Sequence, residues 1–384
     1  MSASNIGSLA NDIALPSDSE DTIQSLSWSP LANHLAAASW DGKVRIYDVA
    51  STGSAKGVAA LTAEAPVFSC DWAKDGETVV AGGADAQIHI MDVSTGQQQV
   101  IGSHDAPVRG VRFAEVPGRG GAMVVSGSWD KTIKFWDVRQ PPQQQRSSEA
   151  VATLSFDERV YSLDVKANLL VVATADFLVH LVDLRNPVEP FETVDSPLGY
   201  QTKVVTAFPD GKGWATASIE GRCGINAVDE DEARDMNFAF ICHRGSIDDD
   251  PMKQTKIWAV NDVQFHPVHS TKLVTAGSDG AFCFWDRAAR TKLITYPPVV
   301  PSQNIGDPSN NNASSSSSPS PITATAFNRD GSILAYALGY DWSRGCQGNS
   351  PRTETRVMLH AVLDEDLRSQ ATVRPLDGLY RKKI

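Results

Sequence analysis

The chain has no apolar run of about 18 residues, the length a membrane span requires. Its opening, MSASNIGSLANDIAL, has neither a basic leader nor an apolar stretch of the secretory kind. Cysteine is sparse. Cys70, Cys223, Cys242, Cys283 and Cys346 are odd in number, scattered, and never in a CxxC pair. That spacing supports neither a disulfide framework nor a zinc site, and it fits a reducing intracellular setting. Positive charge is also short, with 34 Lys and Arg against 46 Asp and Glu and a net charge of -12. Nucleic-acid affinity rests on phosphate neutralisation by cations. Strong RNA binding by the whole surface is therefore excluded, and any RNA contact must come from a local basic patch.

Catalytic signatures are missing too. There is no GxxxxGK[ST], HExxH, GxSxG or Cys/His metal spacing. His243 lies between Cys242 and Arg244, but one His and one Cys make no metal site. The lone Gly-rich GRGG at 118–121 reads as a hairpin insertion rather than a phosphate cradle. Neither an enzyme nor a cofactor nor a metal is expected.

What is present is repetition. ASWDGKVRIYDV (38–49) returns as GGADAQIHIMDV (82–93), GSWDKTIKFWDV (127–138), TADFLVHLVDL (174–184) and GSDGAFCFWDR (277–287). The closing aspartates Asp48, Asp92, Asp137 and Asp183 are 44, 45 and 46 residues apart. Weaker copies at TASIEGRCGINAV (216–228) and TRVMLHAV (355–362) make seven. Upstream of each lies a second phrase, such as IQSLSWSP, VRGVRFAE or VNDVQFHP, which alternates apolar and polar residues and then turns. A unit of 40 to 45 residues with about four strands is the signature of a WD40 propeller blade. The expected fold is an all-β, seven-bladed WD40 propeller. The strand-like Asp12 to Leu15 lies outside any repeat, and it is expected to complete the last blade and remove its open edge.

The Trp-Asp pairs are then architecture. In the third repeat His104, Ser126, Asp130 and Trp136 supply the parts of a structural tetrad, and buried hydrogen bonds are a better account of them than a hydrolase triad. The matching positions elsewhere are Ser19, Ala63 and, in the sixth repeat, Lys256, so Trp285 is left without a tetrad histidine. Two readings of Trp285 stand: ordinary core, or a ring turned towards a ligand.

Residues 1–10 are expected to be disordered, 11–362 to form the propeller, and 363–384 to form a tail ending in YRKKI. Low-complexity sequence fills 297–321, a Pro/Gln connector fills 139–150, and an acidic insertion runs from 229 to 257.

Several longer phrases are more particular than the blade pattern. GSWDKTIKFWDVR, SPLGYQTKVVTAFPDGKGWATASIEGR, NFAFICHR, AVNDVQFHPVHSTKLVTAGSDGAFCFWDRAARTKL and LAYALGYDWSRG together resemble the mRNA export factors of the Rae/Gle type. The resemblance spans about Asn11 to Val362, and it does not extend to the Ser/Asn/Pro insertion, the EVPGRGGAM hairpin or the tail. It implies a non-enzymatic adaptor that binds a hairpin segment, the Gle-binding sequence, of an FG nucleoporin. A monomeric propeller would pair with that segment, shuttle between the nuclear pore and the cytoplasm, and contact single-stranded RNA or messenger ribonucleoprotein weakly. It further implies a partner-peptide contact at Arg222 and a ligand or RNA pocket at Phe240, Trp285, Arg290 and Lys292. Arginine suits the first role because its planar fork pairs with a carboxylate. Read on their own residues, Phe240 and Trp285 also fit blade core, and Arg290 and Lys292 an ordinary solvated turn. The related spindle-checkpoint propellers, which bind similar motifs on kinases, are the alternative.

Overall fold

The computed structural model describes residues 6–16, 18–50, 52–117, 121–138, 149–246, 254–299, 319–349 and 355–368. The Pro/Gln connector (139–148), most of the low-complexity run (300–318), the tail beyond 368 and Gly118–Gly120 of the GRGG hairpin lie outside the described residues.

Seven four-stranded antiparallel sheets form, six of them built from four strands consecutive in the chain and the seventh completed by a strand from the N-terminal end. The first strands of the sheets, Ile23–Trp28, Val67–Trp72, Val108–Glu115, Val160–Lys166, Thr202–Ala207, Val260–Phe265 and Ile322–Phe327, each touch the next, and the last touches the first. The result is a closed seven-bladed β-propeller with these strands around its axis. Second strands such as Leu169–Thr174 and Gly213–Ser218 are buried along their whole length. They are covered on both faces, which is why their sequences are continuously apolar or small rather than alternating.

The core lies between blades. Leu26, Leu35 and Tyr47 of the first blade pack with Ala326, Ala335 and Leu359 of the seventh. Aspartates on three inner strands pin neighbouring blades together. Asp71 accepts from Phe113 N at 2.9 Å, Asp164 from Ala207 N at 3.0 Å, and Asp262 from Thr325 N at 2.6 Å.

The ring closes as the sequence leads one to expect. Ile13 pairs with Leu359 and Ala14 with Met358, so Ile13–Ala14 is the fourth strand of blade seven. Both chain ends reach further into the fold than the expected boundaries at 11 and 362. Ile6 bridges to Thr295, Gly7 N donates to Thr295 O at 2.9 Å, and Leu9 packs on the core of blades six and seven. At the other end Asp366 is buried and accepts from Tyr296 Oη at 2.5 Å. Residues 6–10 and 363–368 are thus held by backbone pairing and buried polar contacts.

The 229–257 segment also resolves differently from a single insertion. Its acidic run forms a short helix, Glu230–Met236, capped by Asp229, whose carboxylate accepts from Asp231 N and Glu232 N. Acidic side chains in a first helical turn suit the positive end of the helix dipole. Phe238–Ile241 is the outer strand of blade five, and Arg244–Ser246 pairs with Thr255–Ile257 as an extra hairpin.

Candidate functional site

One irregularity recurs in every blade. The register of each inner strand slips at its second residue, skipping Gln24, Phe68, Arg109, Tyr161, Lys203, Asn261 and Thr323. A bulge re-aims the extra side chain. Here six of the seven line a cavity of about 140 Å³ at one mouth of the axial channel. The turns between second and third strands lie at this same end, so Trp40 and Trp129 add aromatic walls. Trp342 stacks on Trp40 at 4.2 Å, and Phe68 lies 5.1 Å from Trp40 and 6.1 Å from Trp129.

Two of the bulged residues are cations and none is acidic. Lys203 Nζ donates to Asn261 Oδ1 at 2.8 Å, and Asn261 is held in turn by Ser278 and by Ile322 O. Burial lowers the Lys203 pKa, with Arg109 acting in the same direction and Asp341 against it. Arg109 has no hydrogen bond or ion pair among the described residues, and burial followed by Arg112 holds its pKa below the usual range.

Arg222 lies on the same end of the ring, where the turn of blade five enters its third strand. Gly221 sets this turn at φ +65°, and a Cβ there would meet Cys242 O at 2.9 Å. Only glycine takes that backbone without strain. Arg222 Nε is 3.6 Å from Glu220 Oε2, and Arg244 reaches the same carboxylate at 3.8 Å while donating to Glu220 O at 3.0 Å. Two guanidinium groups therefore converge on one carboxylate, each with a fifth to a quarter of its side chain exposed.

In blade three, His104 Nδ1 bonds Asp130 at 2.8 Å, His104 Nε2 bonds Ser126 Oγ at 2.7 Å, and Trp136 Nε1 donates to that hydroxyl at 2.7 Å. The four side chains form one buried chain of hydrogen bonds. In blade one Ser19 stands where the histidine would be and bonds Ser39 Oγ at 2.9 Å.

Blade six corrects the expectation that Trp285 lacks a tetrad. Trp285 Nε1 donates to Thr275 Oγ1 at 3.0 Å, Thr275 Oγ1 bonds His243 Nε2 at 2.9 Å, and His243 Nδ1 bonds Asp279 at 2.9 Å. The histidine comes from the near side of the hairpin, not from the Lys256 position on its far side.

Trp285 is 4% exposed and Phe240 5%, with their rings 4.5 Å apart in the core between blades five and six. Arg290 and Lys292 are on the rim, half-buried. The structure thus brings the two aromatics together inside and leaves the two cations outside. The ring next to a rim cation is instead Phe238, with the Arg290 guanidinium 5.0 Å above it.

The buried thiols are not set up as nucleophiles. Burial pushes the Cys283 thiol up to about 11 and Cys70 up to about 12, the opposite of what a thiolate nucleophile needs. Among the described residues no group of three His, Cys, Asp or Glu could hold a metal, and no helix is long and apolar enough to cross a membrane.

The family model "WD domain, G-beta repeat" matches residues 14–48, 56–92, 96–137 and 253–286. Its first three matches begin on or just before the outer strand of one blade and end on the third strand of the next, so each repeat staples two blades. The chain is 44% identical over 376 residues to "mRNA export factor GLE2" of Chaetomium thermophilum, covering 97% of this chain and 96% of that one. It is 39% identical over 362 residues to "Poly(A)+ RNA export protein" of Schizosaccharomyces pombe, covering 94% of each. At 33% over 356 residues, 92% of this chain and 94% of the relative, it also resembles "Mitotic checkpoint protein BUB3.1" of Arabidopsis thaliana.

Proposed function

The chain belongs to the WD40-repeat mRNA export factors, a family of non-enzymatic adaptors, and from that premise we propose that it binds the Gle-binding-sequence hairpin of an FG nucleoporin and assists mRNA export at the nuclear pore. The binding surface is the face bearing Trp40, Trp129 and Arg222. The observation that carries this reading is the pair Arg222 and Arg244 converging on Glu220. The Arg222–Glu220 contact is partly exposed and long, an ion pair of little intrinsic strength. An incoming carboxylate meets two guanidinium forks and loses little by displacing their present partner.

Arg222→Glu is expected to weaken binding of a Gle-binding-sequence peptide more than tenfold, about 1.4 kcal/mol or more. Fluorescence anisotropy with the labelled peptide measures it, and an unchanged Kd would remove Arg222 from the site. RNA is a secondary contact in this reading. Arg290 over Phe238, with Lys292 on the adjoining strand, supplies a local cation and an aromatic face. The same assay with single-stranded RNA should show weak binding that falls as salt rises. The checkpoint alternative has the more distant relative. The proposed place of work is the nucleus and nuclear pore, with passage to the cytoplasm.

A further inference from the structure

We infer that the end of the ring opposite Arg222 carries a second docking groove, between the hairpins of blades three and four, which takes a short acidic segment of a partner protein with one bulky apolar side chain at its centre. The inference goes beyond the nucleoporin reading and does not depend on it.

The groove exists because one hairpin is short. Where the inner strand turns into the second, five or six residues intervene in six of the blades, as in 73–77 and 208–212. In blade four the turn is Ala167 and Asn168 alone, with Lys166 paired to Leu169. Ala167 takes φ +51°, as a two-residue hairpin requires of its first turn residue. The ring of hairpins is therefore notched at blade four. On the blade-five side the notch is shut, because a Cβ on Gly211 would stand 3.1 Å from that of Ala167. Towards blades three and two it opens into a cavity of about 540 Å³, lined among others by Lys74, Phe113, Val116, Val165 and Lys166. Ligand sites run to roughly 300–1,000 Å³, so the space is large enough to be one.

The lining selects the occupant. Val116 and Val165 are buried and Phe113 is half-buried, so the floor is apolar and rewards a side chain that leaves water there. The charged lining residues are two lysines and Glu115, a positive balance on a chain whose net charge is -12. Lys74 Nζ lies 2.6 Å from Glu115 Oε2, but the two side chains are 73% and 61% exposed, and such a pair has little strength to resist an incoming carboxylate. Lys166 Nζ has no hydrogen bond or ion pair among the described residues. Asp164, the nearest acid on its strand, is buried and accepts from Arg112 Nε and Ala207 N, each at 3.0 Å. Two cations beside an apolar floor match carboxylates flanking an apolar side chain. They are too few for nucleic acid, whose affinity grows with the number of phosphates neutralised.

The probe is the capped pentapeptide Asp-Glu-Phe-Glu-Asp, titrated into the full chain with its alanine, valine and isoleucine methyl groups labelled for NMR. Saturable shifts are expected at Val116, Val165 and Ala167, with none at Ile219 beside Arg222. Lys74→Glu with Lys166→Glu should weaken binding at least fivefold, and so should replacing the peptide's phenylalanine by glycine. Both lysines are exposed, so this variant should bind the Gle-binding-sequence peptide as wild type does. Still groove methyls at millimolar peptide, or an unchanged Kd for the double variant, overturns the inference. An unchanged Kd for the glycine peptide, or displacement of the probe by a single-stranded oligouridylate, shows a site for charge alone and overturns it too. A variant that loses both ligands shows that the two ends are not separate sites, which also contradicts it. Failure of wild type to bind the Gle-binding-sequence peptide overturns the reading above and leaves the groove standing.

Discussion

Replacing Trp285 by alanine is expected to destabilise the protein by about 3–5 kcal/mol, the cost of emptying a buried aromatic site. The indole fills the core between blades five and six and ends the hydrogen-bonded chain Trp285, Thr275, His243, Asp279. Its removal opens a cavity beside Phe240 and takes a donor away from the buried Thr275 hydroxyl. Trp285→Phe keeps most of the volume and loses only the N–H, so about 1–2 kcal/mol is expected. Urea unfolding followed by circular dichroism gives both numbers. A loss below about 1 kcal/mol for the alanine variant, together with weakened ligand binding, would return Trp285 to the surface role that its sequence context also allowed.

The chain ends make a second large effect, and this one depends on pH. Asp12, just before the closing strand, accepts from Tyr336 Oη at 2.8 Å and bonds His360 Nδ1 at 2.8 Å. Asp366, beyond the last strand, accepts from Tyr296 Oη and from Leu363 N, and its Oδ2 lies 3.7 Å from His360 Nε2. His360 is thus an imidazolium held between one carboxylate from each end of the chain. Burial works to lower its pKa, but the hydrogen bond to Asp12 and the nearby carboxylates of Asp12 and Asp366 more than reverse this, raising it to about 9.

A histidine whose folded pKa lies above its unfolded value of about 6.5 contributes stability fully below that unfolded value and loses it as pH rises through the folded one. The contribution is on the order of 2–3 kcal/mol at neutral pH and below, fading between about pH 6.5 and 9. Burial raises the pKa values of Tyr296 and Tyr336, helped by Asp366 and Asp12 respectively, so both stay neutral across this window. The Tm of wild type should fall over that range by several degrees more than that of His360→Gln. Asp12→Ala should cost about 3 kcal/mol at pH 7, because it strands a buried cation and a tyrosine hydroxyl. Parallel Tm curves for wild type and His360→Gln would show that the cluster carries no charge-dependent stability.

The ring and its closure were legible because they rest on local chemistry. Alternation, turn residues and the spacing of Asp48, Asp92, Asp137 and Asp183 repeat in each copy, and Asp12 to Leu15 was a strand with no other place to go. The sixth tetrad was misread for a positional reason. Counting back from Val260 arrives at Lys256, whereas the hairpin returns the chain to where it left and His243, on its near side, fills the site. One signal was available: Thr275, Asp279 and Trp285 keep the same spacing as Ser126, Asp130 and Trp136, a frame that calls for a histidine. The mouth residues were harder to see. Arg109 and Lys203 follow the first residue of their inner strands, and a regular strand would turn them to an inter-blade face. Only the bulge, which depends on pairing with the second strand, aims them at the axis. The depth of Phe240 and Trp285 and the convergence of Arg244 on Glu220 depend equally on how two blades meet, which no single repeat records.

Hydrogen exchange read by mass spectrometry, with and without saturating Gle-binding-sequence peptide, addresses the central claim most directly, since it maps the bound segment onto one end of a stiff ring. Slowed exchange is expected at the turns 39–43, 128–132 and 218–222 and at the inner-strand starts around 109 and 203, with the opposite-end hairpins 73–77, 208–212 and 328–332 unchanged. Protection confined to those opposite hairpins, or to the outer edges of the blades, would contradict it.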